Sequence, residues 1–322
     1  MSLPQELALS YGEMAPVEQW NFVTQGSLPS WITLTRGSSG TYFAPTTGYL
    51  TSATTNTARF DYPNITSQGL LLEGSATNLA LQSDTFTTTW TTGNITLAEN
   101  VTGVDNTTSA WTITDNSTNG LHRLYAAVSS TTGYSLQLIA KAGTGTVTYI
   151  DLSTTGTGAV YASFNLSTGV IGNMVGVTNA YSTYLGNGFY KFVITNTTSA
   201  GGFIHISLQQ SSTTPSGYVG SGSTVIIQDA QIELNSVASS YIATTTGTVT
   251  RSADVPAVPA ACANGPTILE YTTEGTNATQ RKIYAAGAFA WPSGIWARSI
   301  AVYPPNTPKS YLNAHLQVNG PY

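Results

Sequence analysis

The sequence predicts an all-β fold, an antiparallel β-sandwich of the jelly-roll kind with an N-terminal extension and a small C-terminal β region. Three observations carry this prediction. Charged residues make up 8% of the 322-residue chain, against about a quarter in an average soluble domain. Thr, Ser, Asn and Gly stand in their place; Thr suits a half-buried pleated strand, and Gly, Asn and Ser suit the turns between strands. Apolar residues recur with a period of two over residues 83–252, the spacing of strands with one face in a core. Aromatic residues at 10%, with many Val, Ile and Leu, supply enough apolar surface to offset the entropy of ordering the chain.

Residues 1–40 read as an extension or anchor. The run "PQELALSYGEM" suggests a short helix, and "EQWNFV" with "PSWITLTRGSSGTYF" concentrates Trp20, Phe22, Trp31 and Ile32 in segments too short to bury them alone. Residues 41–255 read as the sandwich with its lead-in strands. In "RFDYPNITSQGLLLEGSATNLALQSDTF", residues 59–86, an Asp-Tyr-Pro-Asn turn follows a strand end, Leu70 to Leu72 form a buried run, and Gly74 permits a reversal before a short turn or helix at "TNLALQ". Arg59 and Glu73 flank the turn and are expected to pair across it, which assigns the stretch to scaffold rather than catalysis. "YSLQLIAKAG" places Tyr134, Leu136 and Leu138 on one face, and "AVYASFNLSTG" does the same for Val160, Ala162, Phe164 and Leu166; "GFYKFVIT", "GFIHISLQQ" and "STVIIQDAQIEL" continue the alternation. Beyond Arg251 a Pro- and Ala-rich run leads into "TILEYTTEG", "RKIYAAGAFAW" and "SIAVYPP", three or four further strands in a C-terminal β extension or small domain over 256–322.

Several function classes are disfavoured by composition. A net charge of −5 with ten dispersed Lys and Arg leaves no basic stripe for phosphates, so nucleic acid is not an expected partner. No apolar run reaches the ~20 residues of a membrane helix, and no membrane partner is expected. The single Cys262 has no disulfide or metal-ligand partner in the sequence, and His122, His205 and His315 are each isolated, so neither metal nor cofactor is expected. His205 alternates opposite Ile204, Ile206 and Leu208 and reads as a sheet-surface residue. His122 beside Arg123 reads as a strand-edge residue. No nucleophile elbow or phosphate-binding Gly-Lys-Ser/Thr loop is present.

The segments "TYFAPTTGYLTSATTNTARFDY", "GLLLEGSATNLALQSDTF", "LQLIAKAG", "GNGFYKFVIT" and "DAQIELNSVASSYIATTTGTVTRSADV" resemble, in the same order, the carbohydrate-binding-module-like jelly-roll domain of tailed-phage virion proteins such as head fibres, head spikes, tail fibres and minor structural proteins. The resemblance spans residues 40–255. It implies a surface β-sandwich, often oligomeric, and no single activity. Members of that family often carry an aromatic-Gly pair before the "AQLE"-like strand, where this chain has "IIQDAQIEL" with Asp229.

The expectation that follows is a non-enzymatic bacteriophage virion structural protein, in capsid decoration, a head fibre or spike, or the tail. Its expected partners are other virion proteins and copies of itself, with a trimer favoured. The start "MSLPQELALSYGEM" lacks the basic and apolar regions of a secretory leader, which fits synthesis in the host cytoplasm and residence in the virion. Trp20, Trp31, Trp291 and Trp296 are the candidate interface residues. The alternative is a module that adheres to host cell-surface polysaccharide, with Trp90, Trp111, Tyr184 and Tyr218 as candidate glycan contacts and Tyr181 and Tyr190 also available. A depolymerase is disfavoured: Asp229 and Glu233, four apart in one strand, stand roughly 13 Å apart, beyond the ~5–9.5 Å of glycosidase carboxylates. They read instead as a hydrated or interface-facing row with Gln231.

Overall fold

The computed structural model describes residues 14–129, 132–154, 160–199, 202–212, 216–276, 278–308 and 310–313. The helix expected near the N-terminus falls on residues 1–13 and, like His315, lies outside the described residues. Strands joined by turns and loops dominate the described residues; the helical pieces are the four-residue α-helix Phe22–Gln25, one helical turn over 310–313, and two 3-10 turns, Pro63–Ile65 and Ala260–Ala263. No described helix is long and apolar enough to cross a membrane.

Two six-stranded antiparallel sheets form the sandwich. The first runs, in spatial order, Asn179–Gly186, Phe189–Ser199, Thr132–Ala142, Thr224–Glu233, Thr108–Asp115, Ile95–Thr102. The second runs Ile171–Val175, Tyr161–Asn165, Tyr149–Ser153, Phe203–Gln209, Arg123–Ala127, Trp90–Gly93. The pairings nest: Thr108–Asp115 lies against Thr224–Glu233, Arg123–Ala127 against Phe203–Gln209, Thr132–Ala142 against Phe189–Ser199, and Tyr149–Ser153 against Tyr161–Asn165. A long antiparallel hairpin rolled so that its successive segments alternate between two sheets is a jelly roll. The alternation in sequence explains the core: Tyr134, Leu136, Leu138, Ile194 and Ile232 from the first sheet face Leu124, Ile150, Leu152, Phe164 and Ile206 from the second.

Both ends of the chain build a third sheet. Its order is Gln280–Tyr284, Thr267–Thr273, Ile295–Val302, and then two pieces share the far edge of Ile295–Val302: Glu18–Asn21 along Ser299 to Val302, and Gly69–Leu72, followed by Phe60–Asp61, along Ile295 to Ala297. Phe22, Leu34, Leu70, Leu72, Leu269 and Ile300 form its core. Trp20, Trp31 and Trp291 rest half-buried on that core, Trp291 edge-on to Phe22 and Phe289, and the Trp296 indole donates to the Asp61 carboxylate at 3.1 Å. The four tryptophans expected to need another subunit thus find packing within their own chain, because flanks more than 270 residues apart pair with each other.

The reversal expected at Gly74 is absent: Gly74 lies between the strands Gly69–Leu72 and Ala76–Asn78 with no turn or bend. Gly74 has no left-handed backbone, whereas Gly69 has φ 109°, and a Cβ there would lie 2.3 Å from the Ala297 carbonyl oxygen. Close approach to Ile295–Val302 is what calls for glycine at this point. At "TNLALQ" the short strand Ala76–Asn78, paired with Val249–Arg251, comes first, and the expected turn follows from residue 81.

Candidate functional site

Three of the stretches quoted from the sequence, over residues 41–62, 69–86 and 229–255, converge with Arg36 on one buried ion cluster. Arg59 Nη2 lies 2.7 Å from Glu73 Oε2 and 2.5 Å from Asp254 Oδ2, Arg36 Nη1 is 2.9 Å from Asp254 Oδ1, and Arg251 Nη2 is 3.4 Å from Glu73 Oε2. All three arginines are fully buried. Further donors reach backbone carbonyls of Thr41, Thr54, Thr57 and Gly74, although Nε of Arg59 and of Arg251 has no partner, while Ser240 donates through its backbone N–H and hydroxyl to Glu73. Burial pushes the Glu73 carboxyl up, but Arg59, Arg251 and Ser240 more than reverse this and hold it at about 2. Every carboxylate oxygen of the two acids is engaged by the protein itself, so the cluster is a clasp. It joins "RFDY", "LLLEG" and "TRSADV" to the sandwich at Ser240.

Asp229, Gln231 and Glu233 do share the outer face of the first sheet, but they are buried rather than hydrated. The segment after the strand folds over them: Ser239 donates to Glu233 through N and Oγ, and Ile242 N–H donates to the Gln231 carbonyl at 2.7 Å. Asp229 sits at a β-bulge opposite Leu138, with φ 54°, a conformation that costs an Asp less than most residues. Its Oδ2 has no partner, and it borders a cavity of about 50 Å³ that Asp61, Glu73, Lys191, Tyr241 and Glu274 also line. Burial pushes the Asp229 carboxyl well up, with Asp84 and Asp105 adding to it. Asp229→Asn keeps the left-handed backbone and removes an unpaired buried acid; it is expected to raise stability at pH 7 by about 1–3 kcal/mol in urea unfolding, without changing any ligand binding by the sandwich.

The aromatic residues expected to touch glycan do not share a patch. Trp90 is buried in the sandwich core with its indole donating to the Leu81 carbonyl, and Trp111 packs on the same core edge-on to Phe86. The Tyr218 hydroxyl donates to Asp115, and its ring lies against His122, which is buried between the Asn94 and Tyr218 carbonyls. Tyr184 is exposed beside Tyr190 on the edge strand of the first sheet, and Tyr181 is buried beneath the Ala238 segment. Core packing claims Trp90 and Trp111 because their strand positions point inward.

The outer face of the second sheet gathers polar side chains that the protein leaves unpaired. Residues of even number on its central strands, such as Leu124, Leu152 and Ile206, fill the core, so Arg123, Tyr125, Tyr149, Asp151, Ser163, Phe203, His205, Ser207 and Gln209 face outward. Register aligns Arg123, Ser207, Asp151 and Ser163 in one row and Tyr125, His205, Ser153 and Tyr161 in the next. With neighbouring strands ~4.8 Å apart, Arg123 and Asp151 stand roughly 10 Å apart at their Cα atoms, with the small Ser207 between them. Tyr125 stacks on His205 at 5.3 Å and 19°, Phe203 flanks both rings and is 41% exposed, and the Arg123 guanidinium lies 4.9 Å over Tyr125.

Beneath that shelf, Asp151 Oδ2, both ring nitrogens of His205 and Gln209 Nε2 have no hydrogen-bond partner although these residues are buried. Ser163 donates to the other Asp151 oxygen. Burial pushes the Asp151 carboxyl up to about 7, and burial aided by Arg123 pulls His205 down to about 4. A neutral imidazole offers one donor and one acceptor, a carboxyl offers acceptors, and an amide nitrogen offers donors. Such a mixed set beside aromatic faces matches a polyhydroxylated ligand. Asp151 is the sole carboxylate projecting from this face among the described residues, whereas glycoside hydrolysis takes two. Sequence reading had picked out "GLHRLYAA" and "GFIHISLQQ" separately; what brings Arg123 and Tyr125 beside Ser207 and His205 is strand register. Compared with known proteins, the chain matches no family model and no curated protein.

Proposed function

We propose that the chain is a non-enzymatic structural protein of a tailed-phage virion whose sandwich acts as a binding module, with the outer face of its second sheet contacting host-surface polysaccharide. The observation that carries the binding half is the layer of unpaired buried groups, Asp151, His205 and Gln209, beneath the Tyr125 and Phe203 rings. Native structures pair most buried polar atoms, so a group of unpaired ones at one place points to a ligand. The virion half is supported by the resemblance, three of whose five segments meet in the Arg59–Glu73–Asp254 clasp. Assembly with other copies or other virion proteins has its best surface at the edge strand Ile171–Val175, where Ile171, Met174 and Val175 are exposed beside exposed Val170.

The test uses purified particles from the phage genome that encodes the chain, wild type and Tyr125→Ala. The expected result is that both contain the protein at equal occupancy and that Tyr125→Ala particles bind purified host polysaccharide at least ten-fold more weakly. Absence of the protein from particles contradicts the virion half, and unchanged binding contradicts the binding half.

A further inference from the structure

Among the described residues Arg123, Lys141, Lys282 and Arg298 make no ion pair, and of these Arg123 alone stands on the outer face of the second sheet. Arg36, Arg59, Arg251, Lys191 and Arg281 are all spent on carboxylates of their own chain. Lys141 and Lys282 lie over the rings of Phe189 and Tyr284. Arg123 makes no ion pair among the described residues, although Asp151 lies two strands away in the same row. The reason is geometric. Its side chain leans the other way, over Gly93, where the ideal Cβ position is 3.4 Å from Arg123 Cγ and 3.8 Å from Nε, and its guanidinium is spread over the Tyr125 ring. The half-buried guanidinium stays at the rim of the shelf, over the Tyr125 ring, and bonds no acid or carbonyl among the described residues.

Resting on the reading of this face as a saccharide site, we propose that its ligand is an anionic saccharide polymer: the sugar ring lies on Tyr125 and Phe203, its acidic group takes the Arg123 guanidinium, and its hydroxyls reach toward Asp151, His205 and Gln209. Arg presents a planar fork of donors that fits a carboxylate or a phosphate with two parallel hydrogen bonds. Stacking on Tyr125 fixes that fork before binding, which lowers the side-chain entropy lost on capture. Asp151 is placed against the far end of the ligand, roughly 10 Å from Arg123 by strand spacing, a distance that separates its charge from the anionic group by about the width of two sugar rings. Ser207 keeps the floor between them low. A neutral polymer meets the rings and the deeper groups and leaves Arg123 without its partner. The anion's chemistry is shared by uronic acids and by sugar or polyol phosphates.

The experiment measures binding of the full chain to polygalacturonate, to a polyglycerol-phosphate teichoic acid and to unsubstituted dextran, in wild type, Arg123→Gln and Tyr125→Ala. At least one of the two anionic polymers is expected to bind wild type ten-fold or more tighter than dextran, and its affinity is expected to fall as salt rises from 50 to 300 mM. The one that binds identifies the acid as carboxylate or phosphate. Arg123→Gln is expected to weaken that binding at least ten-fold and to flatten its salt dependence while leaving dextran binding unchanged, and an unaltered melting temperature shows that the loss is local. Equal wild-type affinity for all three polymers, with Arg123→Gln unaffected and Tyr125→Ala impaired, overturns the anion inference and leaves the saccharide reading standing. Binding to none, or binding that survives Tyr125→Ala, overturns the saccharide reading and this inference with it.

Discussion

Glu73→Ala is expected to destabilise the folded chain by about 3–5 kcal/mol, the cost of leaving a buried charge without its partner. Glu73 neutralises Arg59 and Arg251 and anchors both polar groups of Ser240. Removing it leaves three guanidinium groups, of Arg36, Arg59 and Arg251, facing Asp254 alone. The loss extends beyond one contact because the cluster joins segments near residues 36, 59, 73, 240 and 254. The pH dependence has a definite sign. Glu73 is held at about 2 in the folded chain against an ordinary 4.5, so its contribution is fully present above pH 4.5 and disappears as pH falls toward 2. That interval corresponds to about 3 kcal/mol. Urea unfolding of wild type and Glu73→Ala at pH 7 and pH 3 checks both points: the gap between the two proteins should be large at pH 7 and should narrow at pH 3. A gap below about 0.5 kcal/mol at pH 7, the range of ordinary surface substitutions, contradicts the role of the clasp.

Asp151→Asn is expected to act in the opposite direction on stability and to weaken binding. Burial raises the Asp151 carboxyl from 3.8 to about 7. A raised acid favours the fold below its unfolded value, and that advantage is lost as pH climbs from 3.8 through about 7. Wild type at pH 8 therefore carries a desolvated carboxylate with one unpaired oxygen, a burden of up to about 4 kcal/mol. Asparagine keeps an oxygen for the Ser163 hydroxyl and carries no charge to desolvate. The variant should be more stable than wild type at pH 8, with the difference vanishing near pH 4, and it should bind polysaccharide more weakly. A gain in stability together with a loss of binding is the mark of a residue held for function at the expense of the fold. If Asp151→Asn binds as wild type does, Asp151 is not part of the site.

The sandwich was legible in the sequence because its signal is local. Alternation over "YSLQLIAKAG" or "GFIHISLQQ" reports which side chains face a core, and Leu136, Leu138, Ile204, Ile206 and Leu208 are all buried in one. The Arg59–Glu73 pair was legible for a similar reason, since the two residues flank one turn. The third sheet was not. Nothing local in "EQWNFV" announces that Glu18–Asn21 pairs with Ile295–Val302, so Trp20, Trp31, Trp291 and Trp296 looked stranded. Asp254 was missed because its two closest arginine partners, Arg36 and Arg59, come from distant segments. The candidate site was hidden in the same way: Tyr125, Asp151 and His205 lie on three different strands, and each alone looks like an ordinary outward residue. Their meeting depends on register, which a one-residue slip would reverse.

The most direct measurement of the central claim is hydrogen exchange of the intact chain with and without saturating oligosaccharide prepared from host-surface polysaccharide. If the outer face of the second sheet is the binding surface, protection should concentrate in Arg123–Ala127, Tyr149–Ser153 and Phe203–Gln209, with Thr108–Asp115 and Thr267–Thr273 unchanged. Protection confined to the edge of the first sheet around Tyr184, or to the third sheet, with no change in Arg123–Ala127 and Phe203–Gln209, would contradict it.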